Sequence, residues 1–99
     1  MNITTEKNGS ALTIILEGRL DTMAAQKLDD SLTEVLPGVT DLTFDFEKLE
    51  YISSSGLRTL LKTQKLMNAA GTMKVCHVND LVGEVLELTG FDSILTIVD

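Results

Sequence analysis

The hydrophobic residues of this chain recur with two different periods, and the two periods alternate along the sequence. In residues 42–46 every second side chain is apolar, which is typical of a half-buried strand. In residues 24–36 the apolar side chains lie three or four positions apart, as in an amphipathic helix. The alternation predicts the order β-β-α-β-α-β-α-β. The predicted strands are 3–6, 11–17, 42–47, 73–78 and 95–98, and the predicted helices begin near residues 21–22, 54 and 79–80 and end near 36, 71 and 90.

Two features of these segments define the predicted sheet. Asn8-Gly9 favours a type I′ turn, so the first two strands should form an antiparallel hairpin. The later strands alternate with helices and should run parallel, with right-handed crossovers. Because Thr43, Asp45 and Glu47 make one side of the third strand polar, we expect the helices mainly on the other face. The fold class is therefore α/β, with an α+β-like mixed sheet of about five strands, in a single domain over residues 1–99.

Composition and charge exclude several classes of function. Fifteen acidic residues against eight basic ones give a net charge of −7, which would repel a nucleic-acid backbone. The single cysteine, Cys76, cannot form an internal disulfide and fits a reducing compartment. Residues 1–6 have no basic or apolar stretch, and no apolar run approaches the roughly 20 residues of a spanning helix. We therefore expect a cytoplasmic protein that neither inserts into a membrane nor binds nucleic acid.

No arrangement of residues in the sequence supports catalysis. His77, the only histidine, falls on the apolar side of a strand pattern, so we expect it to be packed in the core. Cys76 is expected to be a buried, unreactive thiol, and Asp45 with Glu47 a solvated pair of carboxylates rather than an acid–base pair. We predict no enzymatic activity, no cofactor and no metal site. An enzyme that uses Ser54 or Cys76 as nucleophile stays open as a third hypothesis.

A run of three serines, Ser53-Ser54-Ser55, joins a predicted strand to the second helix. Serine is a preferred helix cap, so a well-capped helix start is by itself a sufficient explanation of the run. Segment 51–79 carries four basic residues and no acid, whereas the rest of the chain carries four bases and fifteen acids. The basic, partly apolar flank of the second helix consists of Arg58, Lys62, Lys65 and Leu66. This flank suggests docking to an acidic partner, and a simple solvated helix face explains it equally well.

Two short motifs lie at the starts of the first two helices, Gly18-Arg19-Leu20-Asp21 and Ser53-Ser54-Ser55-Gly56-Leu57. Their order and separation resemble the STAS domain family and, more narrowly, the bacterial anti-sigma-factor antagonists. The resemblance extends over residues 3–98. In that family the second motif usually reads Asp-Ser-Ser/Thr-Gly, and the serine after the aspartate is phosphorylated. Alignment on Gly56 places the aspartate at Ser53, where this chain departs from the family, the phosphorylated serine at Ser54 and the second hydroxyl at Ser55.

The resemblance implies a STAS fold and a switch in binding. The unmodified protein would bind an anti-sigma factor that is itself a serine kinase. The kinase would phosphorylate Ser54 and release the protein, and a metal-dependent serine phosphatase would restore the unmodified form. Ser55 and Ser53 are the secondary candidates for the modified residue. The predicted partner-binding residues are Asp21, Ser53, Ser54, Ser55, Gly56, Arg58, Lys62, Lys65 and Leu66. The alternative is a STAS subunit of a membrane-transport or lipid-trafficking complex that binds an ATPase and is never phosphorylated.

Overall fold

The computed structural model describes residues 1–98, which form four strands and three α-helices. The strands are β1 (Asn2–Asn8), β2 (Ala11–Leu20), β3 (Asp41–Ile52) and β4 (Thr72–Cys76), and the helices are α1 (Thr22–Val35), α2 (Ser54–Ala70) and α3 (Asp80–Leu88). A 3-10 turn, Phe91–Ser93, follows α3. The order of elements agrees with the predicted order as far as α3. In the described part of the chain, no helix combines the length and the apolar character that crossing a membrane requires.

The sheet is mixed and has the strand order β1-β2-β3-β4. β1 and β2 pair antiparallel around Gly9, whose φ of 62° lies in the left-handed region that the predicted hairpin turn needs. β2 and β3 pair in parallel, and so do β3 and β4. The parallel register brings Leu20 beside Ile52, so β2 and β3 end together at one edge of the sheet.

The predicted fifth strand, residues 95–98, is not a strand in the structure, and the prediction of about five strands was therefore wrong. This segment meets β4 through a single parallel bridge between Val75 and Ile97. Leu95 is buried in the core, whereas Ile97 is 39% exposed. Residues 91–95 are taken up by the 3-10 turn and by the buried side chain of Leu95. The bridge consists of two hydrogen bonds, from Val75 N–H to the carbonyl oxygen of Thr96 at 2.8 Å and from Val98 N–H to that of Val75 at 2.9 Å.

β3 is longer than the sequence predicted. Its alternation of buried and exposed residues breaks at Glu47 and Lys48, which are both exposed, and burial resumes at Leu49. A shift of register in the ladder between β2 and β3 absorbs the break. The strand therefore continues to Ile52 and connects directly to α2, which fixes where that helix begins.

A single hydrophobic cluster contains buried side chains of the sheet and of all three helices. On β2, Leu12, Ile14 and Leu16 are buried and alternate with partly exposed residues, so the helices cover one face of the sheet, as predicted. The other face, which includes Thr43 and Asp45 of β3, is partly open to water.

Candidate functional site

α1 and α2 begin at the same edge of the sheet, because each follows directly from the end of a parallel strand. The backbone N–H of Ser53 donates to the carbonyl oxygen of Leu20 at 2.9 Å, which ties the two strand ends together. The hydroxyl oxygens of Thr22 and Ser55 lie 3.4 Å apart. The positive ends of two helix dipoles therefore meet in one region. We call this region the helix-start site and define it as Asp21, Ser53, Ser54, Ser55 and Gly56.

Ser53 caps α2. Its backbone is extended, with φ −89° and ψ 171°, and its Oγ accepts a hydrogen bond from the N–H of Gly56 at 3.1 Å. This bond satisfies one of the amide groups that the first helical turn leaves without a partner. Aspartate is an equally good residue for this position. The departure from the family motif at Ser53 therefore preserves the cap and removes only the negative charge.

Ser54 and Ser55 differ in how far their side chains are engaged by the fold. Ser55 is half-buried, its Oγ lies 3.4 Å from Thr22 Oγ1, and it accepts a hydrogen bond from Arg58 Nη2 at 3.3 Å. Ser54 is exposed and is the first residue of α2. Of the three serine hydroxyls, that of Ser54 is the one presented to an incoming molecule. Its phosphorylation stays a prediction.

Asp21 occupies the equivalent position at the start of α1. Its Oδ1 accepts a hydrogen bond from the N–H of Ala24 at 2.9 Å, so its carboxylate caps the helix. The residue is nevertheless exposed, and its negative charge lies on the surface of the helix-start site. Asp21 can therefore contribute both to the stability of α1 and to recognition by a partner.

Gly56 has a packing role that the sequence did not reveal. The residue is buried, and a Cβ atom built on it would lie 2.9 Å from Leu20 Cγ and 3.1 Å from Ile52 Cγ1. Both neighbours are themselves buried side chains. The glycine thus allows α2 to approach the ends of β2 and β3 closely, which fixes where Ser54 is presented. Its role in partner binding stays a prediction.

The four flank residues of α2 are all exposed, and we call Arg58, Lys62, Lys65 and Leu66 the basic face. Together with Leu61 they line one shallow depression on the surface. Lys62 also forms a salt bridge with Asp29 of α1, at 3.0 Å from Nζ to Oδ1, while its side chain stays 61% exposed. Lys62 is therefore partly neutralised within the fold. Arg58 and Lys65 carry most of the positive charge that a partner would meet.

Three exposed residues at the same edge of the sheet were missed by the sequence analysis. The guanidinium carbon of Arg19 lies 4.2 Å from the centre of the Tyr51 ring, a cation–π contact between the ends of β2 and β3. Met23, in the first turn of α1, is 80% exposed. The sequence could have indicated that Met23 is exposed, because Met23 falls outside the apolar stripe of α1. The contact between Arg19 and Tyr51 depends on the parallel register and left no such signal.

The structure also corrects the predictions for the polar face of the sheet. The expectation that His77 is packed in the core was wrong: β4 ends at Cys76, and His77 is exposed with a φ of 56°. Its Nδ1 lies 3.1 Å from Asp45 Oδ1 and 3.6 Å from Cys76 Sγ. Asp45 is largely shielded, with its side chain 19% exposed, whereas Glu47 is exposed. Burial and the negative charge of Asp45 raise the pKa of the half-buried Cys76 thiol, which keeps it protonated at neutral pH.

Comparison with known proteins decides the family. A sequence profile of the STAS domain family matches residues 2–99. The chain belongs to the STAS domain family. It is also 33% identical over 99 residues to BtrV of Bordetella bronchiseptica, which carries the name of an anti-sigma factor antagonist. That alignment covers 98% of this STAS chain and 85% of BtrV.

Solved structures of STAS-like proteins share the fold. An anti-sigma factor antagonist from Thermotoga maritima superposes with a TM-score of 0.89 at 19% identity, covering 98% of this chain and 86% of the other. The antagonist SpoIIAA in its unphosphorylated form superposes with a TM-score of 0.78 at 20% identity, covering 99% and 88%. The Bacillus cell fate determinant SpoIIAA in its phosphorylated form gives 0.77 at 20%, covering 99% and 92%. At these identities the comparisons establish a common α/β fold with a mixed sheet.

Proposed function

We propose that this STAS chain is an anti-sigma factor antagonist that binds its anti-sigma factor when Ser54 is unmodified and leaves it when Ser54 is phosphorylated. The observation that carries the proposal is the exposure of Ser54 between two serines whose hydroxyls are engaged within the fold. The names of BtrV and SpoIIAA, and the two states in which SpoIIAA has been solved, support it. The proposal places the chain in the cytoplasm and assigns it no catalytic activity of its own.

The proposed cycle of modification and reversal requires two partner enzymes. In the proposed cycle the anti-sigma factor is a serine kinase, and the oxygen of Ser54 attacks the γ-phosphorus of ATP. The hydroxyl proton is lost and ADP leaves, so the serine becomes a phosphate ester. A metal-dependent serine phosphatase then uses water to hydrolyse the ester to serine and inorganic phosphate. Both steps need an accessible side chain, which Ser54 provides.

The fold should tolerate a phosphate on Ser54. The group adds about −1.5 to −2 charge and three strong acceptor oxygens. Ser54 is the first residue of α2, so the phosphate would lie beside amide N–H groups and the positive end of the helix dipole. Arg58, one turn further along, is exposed and already donates to Ser55. Each of these groups favours the negative charge.

The unfavourable effect of the phosphate should therefore fall on the complex. A partner that packs against the helix-start site would desolvate the phosphate or place it against acidic groups. A poorly paired charge in an interface costs roughly 2–5 kcal/mol. About 1.4 kcal/mol corresponds to a tenfold change in affinity. Phosphorylation should therefore lower the affinity of the complex by a factor between about 30 and several thousand. The switch then operates without any refolding of this chain.

The proposed docking surface extends from the helix-start site onto the basic face. Leu66 is 54% exposed, so the basic face offers an apolar contact among its positive charges. Met23 offers a second exposed apolar side chain beside Asp21. A complementary partner surface would carry acidic side chains around apolar contacts. Aromatic, methionine and arginine residues are enriched in such interfaces, which fits Met23, Tyr51 and Arg58.

The proposal is tested by measuring the affinity of Ser54 variants for serine-kinase-type anti-sigma factors encoded in the same genome. Ser54→Ala should bind the cognate factor as the wild type does, whereas Ser54→Asp should bind at least about 30-fold more weakly. Ser10→Asp is a matched control, because Ser10 is exposed in the hairpin turn at the opposite end of β2. This control adds the same charge and should leave the affinity unchanged.

Equal affinity of the wild type and Ser54→Asp for the cognate factor would contradict the switch. Capture of a transport ATPase instead of a kinase, with Ser54 unmodified in the purified complex, would also contradict it and would favour the alternative role in a membrane-transport or lipid-trafficking complex.

A further inference from the structure

Three side chains with metal-binding atoms meet on the polar face of the sheet, outside both the helix-start site and the basic face. Asp45 of β3 is paired in register with Cys76, the last residue of β4. His77 follows Cys76 in the chain, and its imidazole ring lies over the same face of the sheet, next to Asp45. One ligand atom from each residue lies within 4.8 Å of the other two. The parallel ladder therefore brings the carboxylate of residue 45 together with the thiol and the imidazole of residues 76 and 77.

Two of the three spacings among these atoms are close to those around a tetrahedral zinc ion. Zinc bonds of about 2.0–2.3 Å at a tetrahedral angle set neighbouring ligand atoms about 3.3–3.8 Å apart. Cys76 Sγ and His77 Nδ1 are 3.6 Å apart, and His77 Nδ1 and Asp45 Oδ1 are 3.1 Å apart. The three ligand atoms all lie within 4.8 Å of one another, so side-chain rotations of Asp45 and Cys76 would bring all three onto one cation.

The geometry argues against a catalytic relay among the same residues. A Ser-His-Asp or Cys-His-Asp relay uses both ring nitrogens of the histidine, one for the nucleophile and one for the carboxylate. Here the same nitrogen, Nδ1, faces both Cys76 and Asp45. One nitrogen cannot accept a proton from the thiol while it donates one to the carboxylate. A shared cation satisfies all three groups at once.

Two further contacts hold the ligands in place. The N–H of Glu47 donates to Asp45 Oδ1 at 3.0 Å, which orients the carboxylate as outer-shell partners do at metal sites. His77 has a φ of 56°, a left-handed conformation that is uncommon for a residue other than glycine. Asn79, two residues further along, caps α3, and its side chain donates to the carbonyl oxygen of Leu49 at 2.6 Å, which anchors the start of α3 to β3.

We propose that Asp45, Cys76 and His77 bind a Zn²⁺ ion, with water in the fourth position. The Cys76 thiol releases its proton to solvent as the ion binds and coordinates as a thiolate, so the affinity for zinc rises with pH. Thiolate and imidazole ligands select zinc over magnesium and calcium, which prefer oxygen ligands. The ion would connect β3, β4 and the turn that leads into α3. Because it would bind the folded state, it would stabilise that state by an amount that grows with the logarithm of its free concentration once this exceeds the dissociation constant. This site is independent of the proposed switch at Ser54, and it revises the expectation from the sequence that the chain has no metal site.

The experiment uses the full chain without an affinity tag, prepared metal-free. Zn²⁺ should bind with one ion per chain and raise the midpoint of thermal unfolding, whereas Mg²⁺ at the same concentration should have no effect. Co²⁺ should produce a thiolate-to-metal charge-transfer absorption. Because Cys76 is the only cysteine, its alkylation by iodoacetamide can be read as a single mass increase. Zn²⁺ should slow this alkylation.

Three ligand variants and one matched control assign the ion to these residues. Cys76→Ser should lose the cobalt charge-transfer band. Asp45→Asn and His77→Asn should weaken Zn²⁺ binding by about tenfold or more. Asparagine suits the left-handed backbone at position 77, so His77→Asn should fold normally. Asp41→Asn makes the same change in charge on the same face of β3 and should bind Zn²⁺ as the wild type does. Absence of stoichiometric binding, or binding that all three ligand variants retain, would overturn the proposal.

Discussion

At the scale of single residues, the three serines at the start of α2 have three different environments. Ser53 Oγ caps the helix through Gly56, and Ser55 Oγ contacts Thr22 and Arg58. Ser54 is exposed at the first helical position. A modification of Ser53 or Ser55 would disturb contacts within the fold, whereas a modification of Ser54 would change only the surface. This difference is the structural reason to prefer Ser54 as the switch residue.

The first prediction concerns the stability of a charged variant at this position. Ser54→Asp should keep its free energy of unfolding within about 1 kcal/mol of the wild type, as ordinary surface substitutions do. The added carboxylate lies at a helix N-terminus, where the dipole favours it. Urea unfolding followed by circular dichroism measures the difference. A loss of several kcal/mol would mean that Ser54 has a structural role, which the proposed switch does not allow.

The second prediction separates capping from signalling at Ser53. Ser53→Ala removes the bond to Gly56 N–H and should cost about 1 kcal/mol of stability. Ser53→Asp, which restores the usual family residue, should keep the cap and be at least as stable as the wild type. Thermal and urea unfolding of the two variants check both values. If Ser53→Ala were as stable as Ser53→Asp, the hydrogen bond of Ser53 would contribute nothing.

At the scale of elements, the close approach of α2 to the sheet determines where Ser54 is presented. Gly56 lies against Leu20 and Ile52, the last residues of β2 and β3. Those two strands end together because of their parallel register. The helix start is therefore positioned by the core of the protein, so a change in packing there should also move Ser54.

The third prediction tests this packing with two glycines. Gly56→Ala should destabilise the protein by about 1–3 kcal/mol, because the new methyl group would overlap buried side chains. Gly83→Ala, in α3, is the control: its Cβ would lie 3.4 Å from Val78 Cγ1, and the better helix propensity of alanine should stabilise the fold by about 0.5–1 kcal/mol. The two variants should therefore change the free energy of unfolding in opposite directions, as measured by urea unfolding. Stabilisation by both variants would contradict the packing role of Gly56.

The elements also show what the sequence could and could not predict. Hydrophobic periodicity predicted the three helices and four of the strands, and the Ser-Ser-Gly motif located the start of α2. The segment at residues 95–98 was predicted as a strand because its pattern alternates, but a single bridge is all that forms there. The end of β3 was missed because a bulge breaks its alternation after Phe46. Periodicity reports burial along one element, and it does not report register between elements.

Because periodicity does not report how strands pair, the sequence predicted some residues of the candidate sites correctly and others wrongly. The serines and the basic face are contiguous in sequence or on one helix, so they could be predicted. His77 was wrongly predicted to be buried, because the alternation was extended beyond the last residue of β4. Its contact with Asp45 joins residues of two strands. Only the parallel pairing of β3 with β4 brings these two residues together.

At the scale of the whole molecule, charge is unevenly distributed. The chain has a net charge of −7, yet segment 51–79, which contains α2 and β4, carries +4. The salt bridge between Lys62 and Asp29 offsets part of this charge, and Lys65 stays exposed. Under the proposed docking, the basic face would orient the molecule toward an acidic partner surface, because the acidic remainder of the chain would repel such a surface.

The fourth prediction follows from this distribution. Lys65→Gln should lower the association rate with the anti-sigma factor several-fold at low ionic strength, and the difference should shrink as salt is added. Lys7→Gln removes the same charge from an exposed position on β1 and serves as the control, with little expected effect. Stopped-flow or surface-based kinetics provide the rates. Equal effects of the two substitutions would contradict a docking role for the basic face.

The most direct test of the central claim is an intact-mass measurement of the chain incubated with the cognate anti-sigma factor, Mg²⁺ and ATP. The account predicts the addition of one phosphoryl group, located at Ser54 by fragmentation, present in Ser53→Ala and Ser55→Ala and absent in Ser54→Ala. An unchanged mass with a factor that binds the chain, or a phosphoryl group that persists in Ser54→Ala, would contradict it.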